Sequence, residues 1–168
     1  EHPELGYILY DTGYTQRFHE ETAFFPNSIY GKMTKVVIPP GEEVAKQLSD
    51  NGISPDDIKH IIITHFHADH VAGMKDFKNA VFYTSKKAYE FTMKLPHSIA
   101  FSKGVLKNLL PEDLSERIIF IDEKITPSNQ AILGKEYDLF GDNSLLIYEL
   151  PGHAAGQIGL MLETNKQR

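Results

Sequence analysis

The ten residues from Ile61 to His70 constrain the fold and the chemistry of this sequence more than any other stretch. Three β-branched apolar residues open it, a pattern that predicts a strand buried on both faces of a sheet. Four side chains that can bind a metal follow within six residues, namely His65, His67, Asp69 and His70. A core does not select such side chains, so their density favours a metal site over solvated histidines at a strand end.

The spacing of these four residues predicts how they meet. Side chains of an extended segment alternate between its two sides, so His65, His67 and Asp69 are expected to point the same way. His70 breaks this alternation. We therefore expect the chain to turn at Asp69, which would bring the side chains of Asp69 and His70 to the same site.

The composition is that of a single globular domain, which we expect to span residues 1–168, with 41% hydrophobic and 24% charged residues. No apolar run approaches the roughly 18 residues that cross a bilayer, and no signal peptide opens the sequence, so we expect no membrane partner. Cysteine is absent, which excludes a disulfide framework and thiolate ligands. Histidine and carboxylate remain as metal ligands, and the composition fits a cytoplasmic protein.

The net charge of −6 argues against a nucleic-acid partner, because proteins that bind nucleic acids usually carry a basic excess. Bound divalent ions would offset part of this charge locally, which weakens the argument. We therefore expect a small-molecule substrate as the partner of the site.

Two further residues are candidates for the same site. Asp11 follows an expected strand, Tyr7–Tyr10, where it is either a turn former or an acceptor that orients a metal-bound histidine. His153 stands alone in a glycine-rich turn, Pro151–Gly156, between two expected strands. A solitary histidine in a loop is more often a surface residue. The glycines of this turn free the backbone for a close approach, however, so we take His153 as a ligand.

Hydrophobic patterning predicts a series of strands joined by short helices. The expected strands are Tyr7–Tyr10, Lys35–Ile38, His60–Thr64, Ala80–Thr84, Ile118–Ile121, Tyr137–Phe140, Leu145–Leu150 and Gln157–Leu162. The expected helices are Glu42–Asp50, a turn after Ser54, a helix from Ser85 to about Leu95, and one within Pro96–Leu110. The aromatic-rich segment Tyr14–Lys32 is expected to be a long loop or irregular arm, which either forms a substrate-facing wall or packs against the core. Glu163–Arg168 is expected to be a polar end, and His97 is a candidate substrate contact.

The candidate ligands fit a known kind of catalytic metal site. A catalytic zinc typically has three protein ligands and an open position for water. His65, His67 and His153 supply three imidazole nitrogens, which can complete one such site, and Asp69 and His70 remain to begin a second. Two metal ions about 3.5–4 Å apart can hold a bridging hydroxide and polarise the group that it attacks. We expect one or two zinc ions, with iron or manganese as alternatives.

The motif His65-Phe66-His67-Ala68-Asp69-His70 after an aliphatic strand, with Asp11-Thr12-Gly13 upstream and Pro151–Gly156 downstream, resembles the metallo-β-lactamase superfamily. The resemblance runs from about Gly6 to Leu162, with the motifs in the expected order. It implies an α/β fold, the αβ/βα sandwich, in which two mixed sheets pack face to face with helices outside. It also implies that Asp11 is a structural acid, that the three histidines form the first metal site, and that Asp69 and His70 belong to the second.

The resemblance also implies features that this sequence does not contain. The family has a later aspartate that bridges both metals, a final histidine ligand, and one or two strands before the position of Asp11. We therefore expect a fragment that is incomplete at its C-terminus, with a first site that forms and a second that holds metal weakly. A sheet left open at an unpaired edge would favour association into a homodimer.

The function that the resemblance implies is hydrolysis by metal-activated water of a small ester, lactone, thioester or amide. His70 directly after Asp69 is similar to the arrangement in dinuclear lactonase-like and glyoxalase-II-like hydrolases. The alternatives are a phosphodiesterase or nuclease of the same superfamily and an inactive metal-binding fragment. The nuclease branch shares the histidine motif, so only the acidic charge balance and the lack of a basic patch argue against it.

Overall fold

The chain forms two β-sheets whose strands are connected by short helices and loops. The computed structural model describes residues 1–127 and 135–162. The strands are β1 (Ile8–Tyr10), β2 (His60–Ile62), β3 (Val81–Thr84), β4 (Ile118–Phe120), β5 (Glu136–Asp138), β6 (Leu145–Glu149) and β7 (Ile158–Leu162). The helices are α1 (Arg17–Glu21), α2 (Ser28–Met33), α3 (Val44–Asp50), α4 (Ala68–Val71), α5 (Lys86–Lys94), α6 (His97–Ala100), α7 (Leu114–Arg117) and α8 (Ile121–Lys124). Single 3-10 turns cover Pro55–Asp57, Met74–Asp76, Phe101–Lys103 and Lys107–Leu109.

The first sheet is parallel, with its strands in the order β1-β2-β3-β4. Ile62 near the end of β2 lies opposite Tyr10 of β1 on one side and Tyr83 of β3 on the other. Because parallel strands end at the same edge of a sheet, the residues that follow β1 and β2 are neighbours in space. This edge is where Asp11 meets the histidine-rich stretch.

The second sheet is antiparallel, with its strands in the order β5-β6-β7. β5 and β6 form the expected hairpin, in which Tyr137 lies opposite Ile147. Gly141 and Asn143 in the connecting turn have positive φ angles of 82° and 61°. Glycine and asparagine adopt such angles more readily than other residues, which explains why the hairpin turns at this point.

A backbone hydrogen bond joins the second sheet to the end of β2. The N–H of Ile158, at the start of β7, donates to the carbonyl of Thr64 over 3.1 Å. The loop between β6 and β7 carries His153 and immediately precedes Ile158. The loop is therefore held at the same edge of the parallel sheet as the histidine-rich stretch.

The burial of β2 on both faces, expected from its sequence, is confirmed. Ile61 and Ile63 pack in a cluster with Phe18 and other residues on the helical side of the sheet. Ile62 points the other way and packs between the two sheets in a cluster with Ile147. All three isoleucines have an exposed fraction of 0%. Burying each such side chain contributes about 1.5–3 kcal/mol, so the segment that leads into the site is anchored from both faces.

The predicted α/β fold class is confirmed, with one difference in the sheets. Among the described residues one sheet is wholly parallel and the other wholly antiparallel, whereas the resemblance implies two mixed sheets. Most predicted elements lie within two or three residues of observed ones. The helix predicted within Pro96–Leu110 is the short α6 followed by two 3-10 turns. Glu163–Arg168, expected to be a polar end, lies outside the described residues.

The prediction of an irregular arm over Tyr14–Lys32 is wrong. Helices α1 and α2 lie in this segment, and Phe18 of α1 is 1% exposed in the main core. Phe18 also makes edge-on aromatic contacts with Tyr14 and Tyr30, at 4.8 and 5.9 Å between ring centroids. Helices of five and six residues are too short to show a helical period, which is why the pattern did not reveal them.

The prediction of a strand at Lys35–Ile38 is also wrong. Val36 and Ile38 are partly buried against the core and Val37 is 84% exposed, so the alternation that suggested a strand is present. The segment nevertheless belongs to neither sheet of the described structure. Alternation reports which side chains are buried, and it does not report whether a neighbouring strand offers hydrogen bonds.

Two expectations concern partners of the chain, namely a membrane, which is not expected, and a second copy of the chain. In the ranges that the structure covers, no helix is long and apolar enough to cross a bilayer, and α5 has nine residues. The expected homodimer stays a prediction.

Candidate metal centre

The histidine-rich stretch lies where β2 ends and the chain turns into α4. His67 has extended backbone angles (φ −72°, ψ 153°) and immediately precedes Ala68, the first residue of α4. The expected turn therefore begins one residue earlier than the sequence suggested, and Asp69 is already helical. His65 and His67 still face each other, with 4.4 Å between their ring centroids.

The loop between β6 and β7 adds His153 to this pair. Its ring centroid lies 5.0 Å from that of His65 and 4.7 Å from that of His67. One ring nitrogen from each of the three histidines lies within 4.8 Å of the other two. Residues almost ninety positions apart are thus brought together with the spacing that a single bound ion requires.

A relay of hydrogen bonds determines which nitrogen of His65 faces the other histidines. The Thr64 hydroxyl donates to Oδ2 of Asp11 over 2.9 Å. Because a carboxylate can only accept, the hydroxyl oxygen is left to accept from Nδ1–H of His65, at 2.9 Å. Nε2 of His65 then carries the lone pair. This atom is buried and has no hydrogen-bond partner among the described residues.

Asp11 is held in an unusual backbone conformation, with φ at 59°. Its Oδ1 accepts the backbone N–H of Thr64 over 2.8 Å, and Oδ2 lies 2.7 Å from Nδ1 of His70. Asp11 therefore contacts both the backbone of Thr64 and the ring of His70. It also accepts a hydrogen bond from the Thr64 hydroxyl, which positions His65. The role of Asp11 as an acid that orients metal-bound histidines stays a prediction.

Asp69 and His70 form a pair beside the three histidines. Nε2 of His70 lies 3.2 Å from Oδ2 of Asp69, and the His70 ring lies 4.0 Å from that of His65. A hydrogen bond from His70 lowers the pKa of Asp69, so this half-exposed group is a carboxylate at neutral pH. Burial lowers the pKa of His70, but its hydrogen bonds to Asp11 and Asp69 outweigh burial and raise the pKa to about 9.

The other two histidines of the stretch are neutral at pH 7. Burial lowers the pKa of His65 to about 3, with further lowering from the neighbouring His70, His67 and His153. Burial and the nearby His153 also lower the pKa of His67. Only neutral imidazole has a lone pair to give to a metal, so both side chains are in the protonation state that a ligand needs.

Ser85 supports the loop that carries His153, a role that the sequence does not reveal. Its hydroxyl caps α5 by accepting the N–H of Ala88 over 3.1 Å, and it donates to the carbonyl of Gly156 over 2.6 Å. Gly156 has a φ of 68°, and a Cβ there would lie 2.4 Å from the backbone nitrogen of Ala88. The sequence predicted the cap at Ser85, but contact with a loop so distant in the chain has no local signal.

A pocket of about 210 Å³ opens beside the three histidines. Besides them, its lining residues are Phe66, Phe91, Thr92, Lys103, Val105, Ala154 and Ala155. The wall is thus largely apolar, with one lysine. None of these was singled out from the sequence, because apolar residues in helices and turns give no functional pattern. His97, the candidate substrate contact, is not among the lining residues of this pocket.

The residues present fit a bound metal ion. The observation that carries this is the unpaired Nε2 of His65, because burying a polar atom without a partner costs about 1–3 kcal/mol. An ion at the centre of the three ring nitrogens would satisfy that atom. The donors are imidazoles and carboxylates, as required in a chain without cysteine.

Comparison with known proteins identifies the family of this chain. A model described as the metallo-beta-lactamase superfamily matches residues 3–167. An N-acyl homoserine lactonase from Bacillus cereus is 28% identical over 168 residues, an alignment that covers 97% of this chain and 56% of that protein.

Solved structures have the same fold. An N-acyl homoserine lactone hydrolase, with the product N-hexanoyl-L-homoserine bound at its catalytic metal centre, superposes with a TM-score of 0.64 at 22% identity, covering 97% of this chain and 56% of that one. A dizinc quorum-quenching lactonase in complex with a product superposes with a TM-score of 0.57 at 19% identity, covering 95% and 49%. The chain spans about half the length of these relatives. It belongs to the metallo-β-lactamase superfamily.

Proposed function

We propose that the chain carries the metal-binding histidines of a hydrolase that opens the ring of a small lactone. The convergence of His65, His67 and His153 is the observation that supports this proposal most directly. The related N-acyl homoserine lactonase supports the choice of substrate class. The longer relatives contain residues with no counterpart in this chain, so the proposal concerns the activity of a site to which these residues contribute.

The proposed metal is zinc, with iron or manganese as alternatives, because imidazole and carboxylate ligands suit all three. His65, His67 and His153 would hold the first ion, and Asp69 and His70 would contribute to a second. Binding of that second ion would displace a proton from the His70 ring, because only a neutral imidazole binds a metal. Asp11 would orient His70 through its 2.7 Å contact and His65 through Thr64. The dizinc lactonase with the same fold supports two positions.

A divalent ion at this site would lower the pKa of bound water to about 7 and polarise the carbonyl of an ester, which is the chemistry that ring opening requires. The protein's own residues provide the remaining conditions. The neutral His65 and His67 offer lone pairs, and the Asp69 carboxylate beside them offers a negative charge. Asp11 and Thr64 fix the orientation of the rings before a substrate arrives.

The pocket beside the histidines supports an acylated substrate. Phe91, which is 40% exposed, and Ala155 give it apolar surface that an acyl chain would cover. At about 210 Å³ the pocket is smaller than most ligand sites, which measure roughly 300–1,000 Å³, so it suits a small substrate rather than a folded partner. In this arrangement the reactive ester would lie at the histidine end of the pocket.

The proposal is tested by mixing the chain with zinc and N-hexanoyl homoserine lactone and following the open-ring product by NMR. We expect ring opening that His67→Ala reduces at least tenfold and that His19→Ala, an exposed histidine outside the site, leaves unchanged. Bis(p-nitrophenyl) phosphate tests the nuclease alternative in parallel. Cleavage of the phosphate diester without ring opening would contradict the proposed substrate. Metal binding with neither reaction would leave the inactive-fragment alternative.

A further inference from the structure

The segment Phe101–Val105 packs directly against the metal-binding motif, although it lies far from that motif in sequence. The carbonyl of Gly104 accepts the backbone N–H of Ala68 over 3.0 Å. Ala68 is the first residue of α4 and follows His67. The backbone of Gly104 is thus bonded to the peptide next to a candidate ligand.

The backbone around Gly104 is fixed by its own hydrogen bonds. Gly104 ends the 3-10 turn Phe101–Lys103 in the left-handed conformation, with φ at 70°. Its N–H donates to the carbonyl of Phe101 over 3.0 Å, and the N–H of Val105 donates to Ala100 over 3.1 Å. Val105 is 3% exposed. The segment therefore has little freedom to move away from the motif.

Gly104 lies so close to the ring of His67 that a Cβ added there would make unusually tight contacts with the ring. A Cβ built on Gly104 would lie 3.0 Å from Cδ2, 3.2 Å from Cγ and 3.3 Å from Nε2 of His67. Ordinary contacts of a Cβ begin at 3.4 Å, so the ring would have to shift by a few tenths of an ångström. The ring is the part of this contact that can move.

We propose that Gly104 is a positioning residue for His67. Because Gly104 has no side chain, its backbone lies directly against the imidazole and holds it in place for metal binding. The inference rests on the metal site proposed above. Zinc–nitrogen bonds are about 2.0–2.1 Å long, and sites tolerate deviations of about 0.2 Å. A shift of the ring by several tenths of an ångström would therefore weaken the bond between His67 and the ion.

Gly52 provides a matched control for the backbone conformation. It follows α3 with φ at 77°, and its N–H donates to Ser49 over 3.0 Å, as that of Gly104 donates to Phe101. A Cβ on Gly52 would meet nothing within 4 Å. Gly52→Ala therefore measures the cost of an alanine at positive φ alone, while Gly104→Ala adds the contact with His67.

The first experiment compares cobalt(II) binding to the chain and to both variants, by the visible spectrum of the ion and by competition with zinc. We expect Gly104→Ala to weaken binding about 10- to 100-fold and to change the spectrum, because the ligand geometry changes. Gly52→Ala should change affinity by less than twofold. Unchanged affinity and spectrum in Gly104→Ala would overturn the inference alone. Absence of metal binding by the unsubstituted chain would overturn the proposed site together with the inference.

A second experiment needs no metal and also applies if Gly104→Ala folds poorly. Each glycine is replaced in the unsubstituted chain and in His67→Ala, and the melting temperature is measured in chelator. If the new methyl group collides with the imidazole, Gly104→Ala should lower the melting temperature more than Gly52→Ala does. In the His67→Ala background, the two substitutions should lower the melting temperature equally. An equal loss from Gly104→Ala in both backgrounds would overturn the inference.

Discussion

The carboxylate of Asp11 contacts Thr64 at two points, accepting its backbone N–H over 2.8 Å and its side-chain hydroxyl over 2.9 Å. The two residues follow neighbouring parallel strands, so the contact fixes the ends of β1 and β2 relative to each other. The hydrogen bond to Asp11 also uses the only proton of the Thr64 hydroxyl. The oxygen of Thr64 must then accept from His65, which leaves the other nitrogen of His65 free to bind a metal.

Thr64→Val removes this hydroxyl while keeping a β-branched side chain of similar shape. Nδ1 of His65 would lose its acceptor, so nothing would select the tautomer that presents Nε2 to the site. We expect zinc affinity to fall about 10- to 100-fold, as is usual for residues that orient metal ligands. Competition with a chromophoric chelator measures the change. Thr64→Ser keeps the hydroxyl and should retain most of the affinity, and equal affinities in both variants would contradict the relay.

Asp11→Asn tests the same contact from the other side. Asparagine tolerates the φ of 59°, so the substitution changes hydrogen bonding with little backbone strain. Its amide has one acceptor oxygen where the carboxylate has two, and its NH2 group would face a donor of Thr64 or His70. We expect the free energy of unfolding to fall by about 1–3 kcal/mol in urea denaturation. Asp50→Asn, in an exposed ion pair, should change it by less than about 0.5 kcal/mol.

The sequence predicts which residues form the site better than it predicts how those residues are arranged. The alternation of His65 and His67 and the apolar run before them are local signals, and local signals are what a sequence pattern reports. The division of the candidate ligands into three histidines and an Asp69–His70 pair follows from the three protein ligands of a typical catalytic zinc, and the resemblance implies the same division. The turn into α4 begins one residue earlier than predicted, because either Ala68 or Asp69 can begin a helix.

The supporting contacts could not be predicted, and the reason is physical. The Ser85 hydroxyl reaches Gly156, and the backbone of Gly104 reaches His67, through packing between parts of the chain that are distant in sequence. Neither contact imposes a period or a motif. In the same way, the burial of Phe18 depends on where α1 packs, so the sequence alone leaves open whether the aromatic-rich segment Tyr14–Lys32 packs against the core.

The metal-free protein should be most stable near pH 6.5. The pKa of His70 is raised from about 6.5 to about 9, so its contribution is present below pH 6.5 and is lost as the pH rises through 9. The pKa of His65 is lowered to about 3, so its contribution is present above pH 6.5 and is lost as the pH falls toward 3. Urea denaturation in the presence of a chelator between pH 4.5 and 9.5 measures both the acidic and the alkaline loss of stability. His70→Gln should remove the alkaline loss of stability. If that loss persisted in the variant, it would not arise from His70.

Ser85→Ala should loosen the loop that carries His153. The substitution removes both the cap of α5 and the donor to Gly156, so we expect a loss of about 0.5–2 kcal/mol in unfolding free energy together with weaker zinc binding. Ser54→Ala is the matched control, since it removes a cap from the turn Pro55–Asp57 without any contact to the metal centre. Denaturation and zinc competition on both variants separate the two effects. If the two substitutions weakened zinc binding equally, Ser85 would have no special role in holding the loop.

The central claim is that histidines from two distant parts of the chain hold one metal ion. Its most direct test is zinc content by plasma mass spectrometry after zinc is supplied and loose ions are removed by dialysis. We expect at least one equivalent in the unsubstituted chain and in His19→Ala, and loss of the ion in His65→Ala and in His153→Ala. Zinc absent from the unsubstituted chain, or retained in full after either ligand is removed, would contradict the claim.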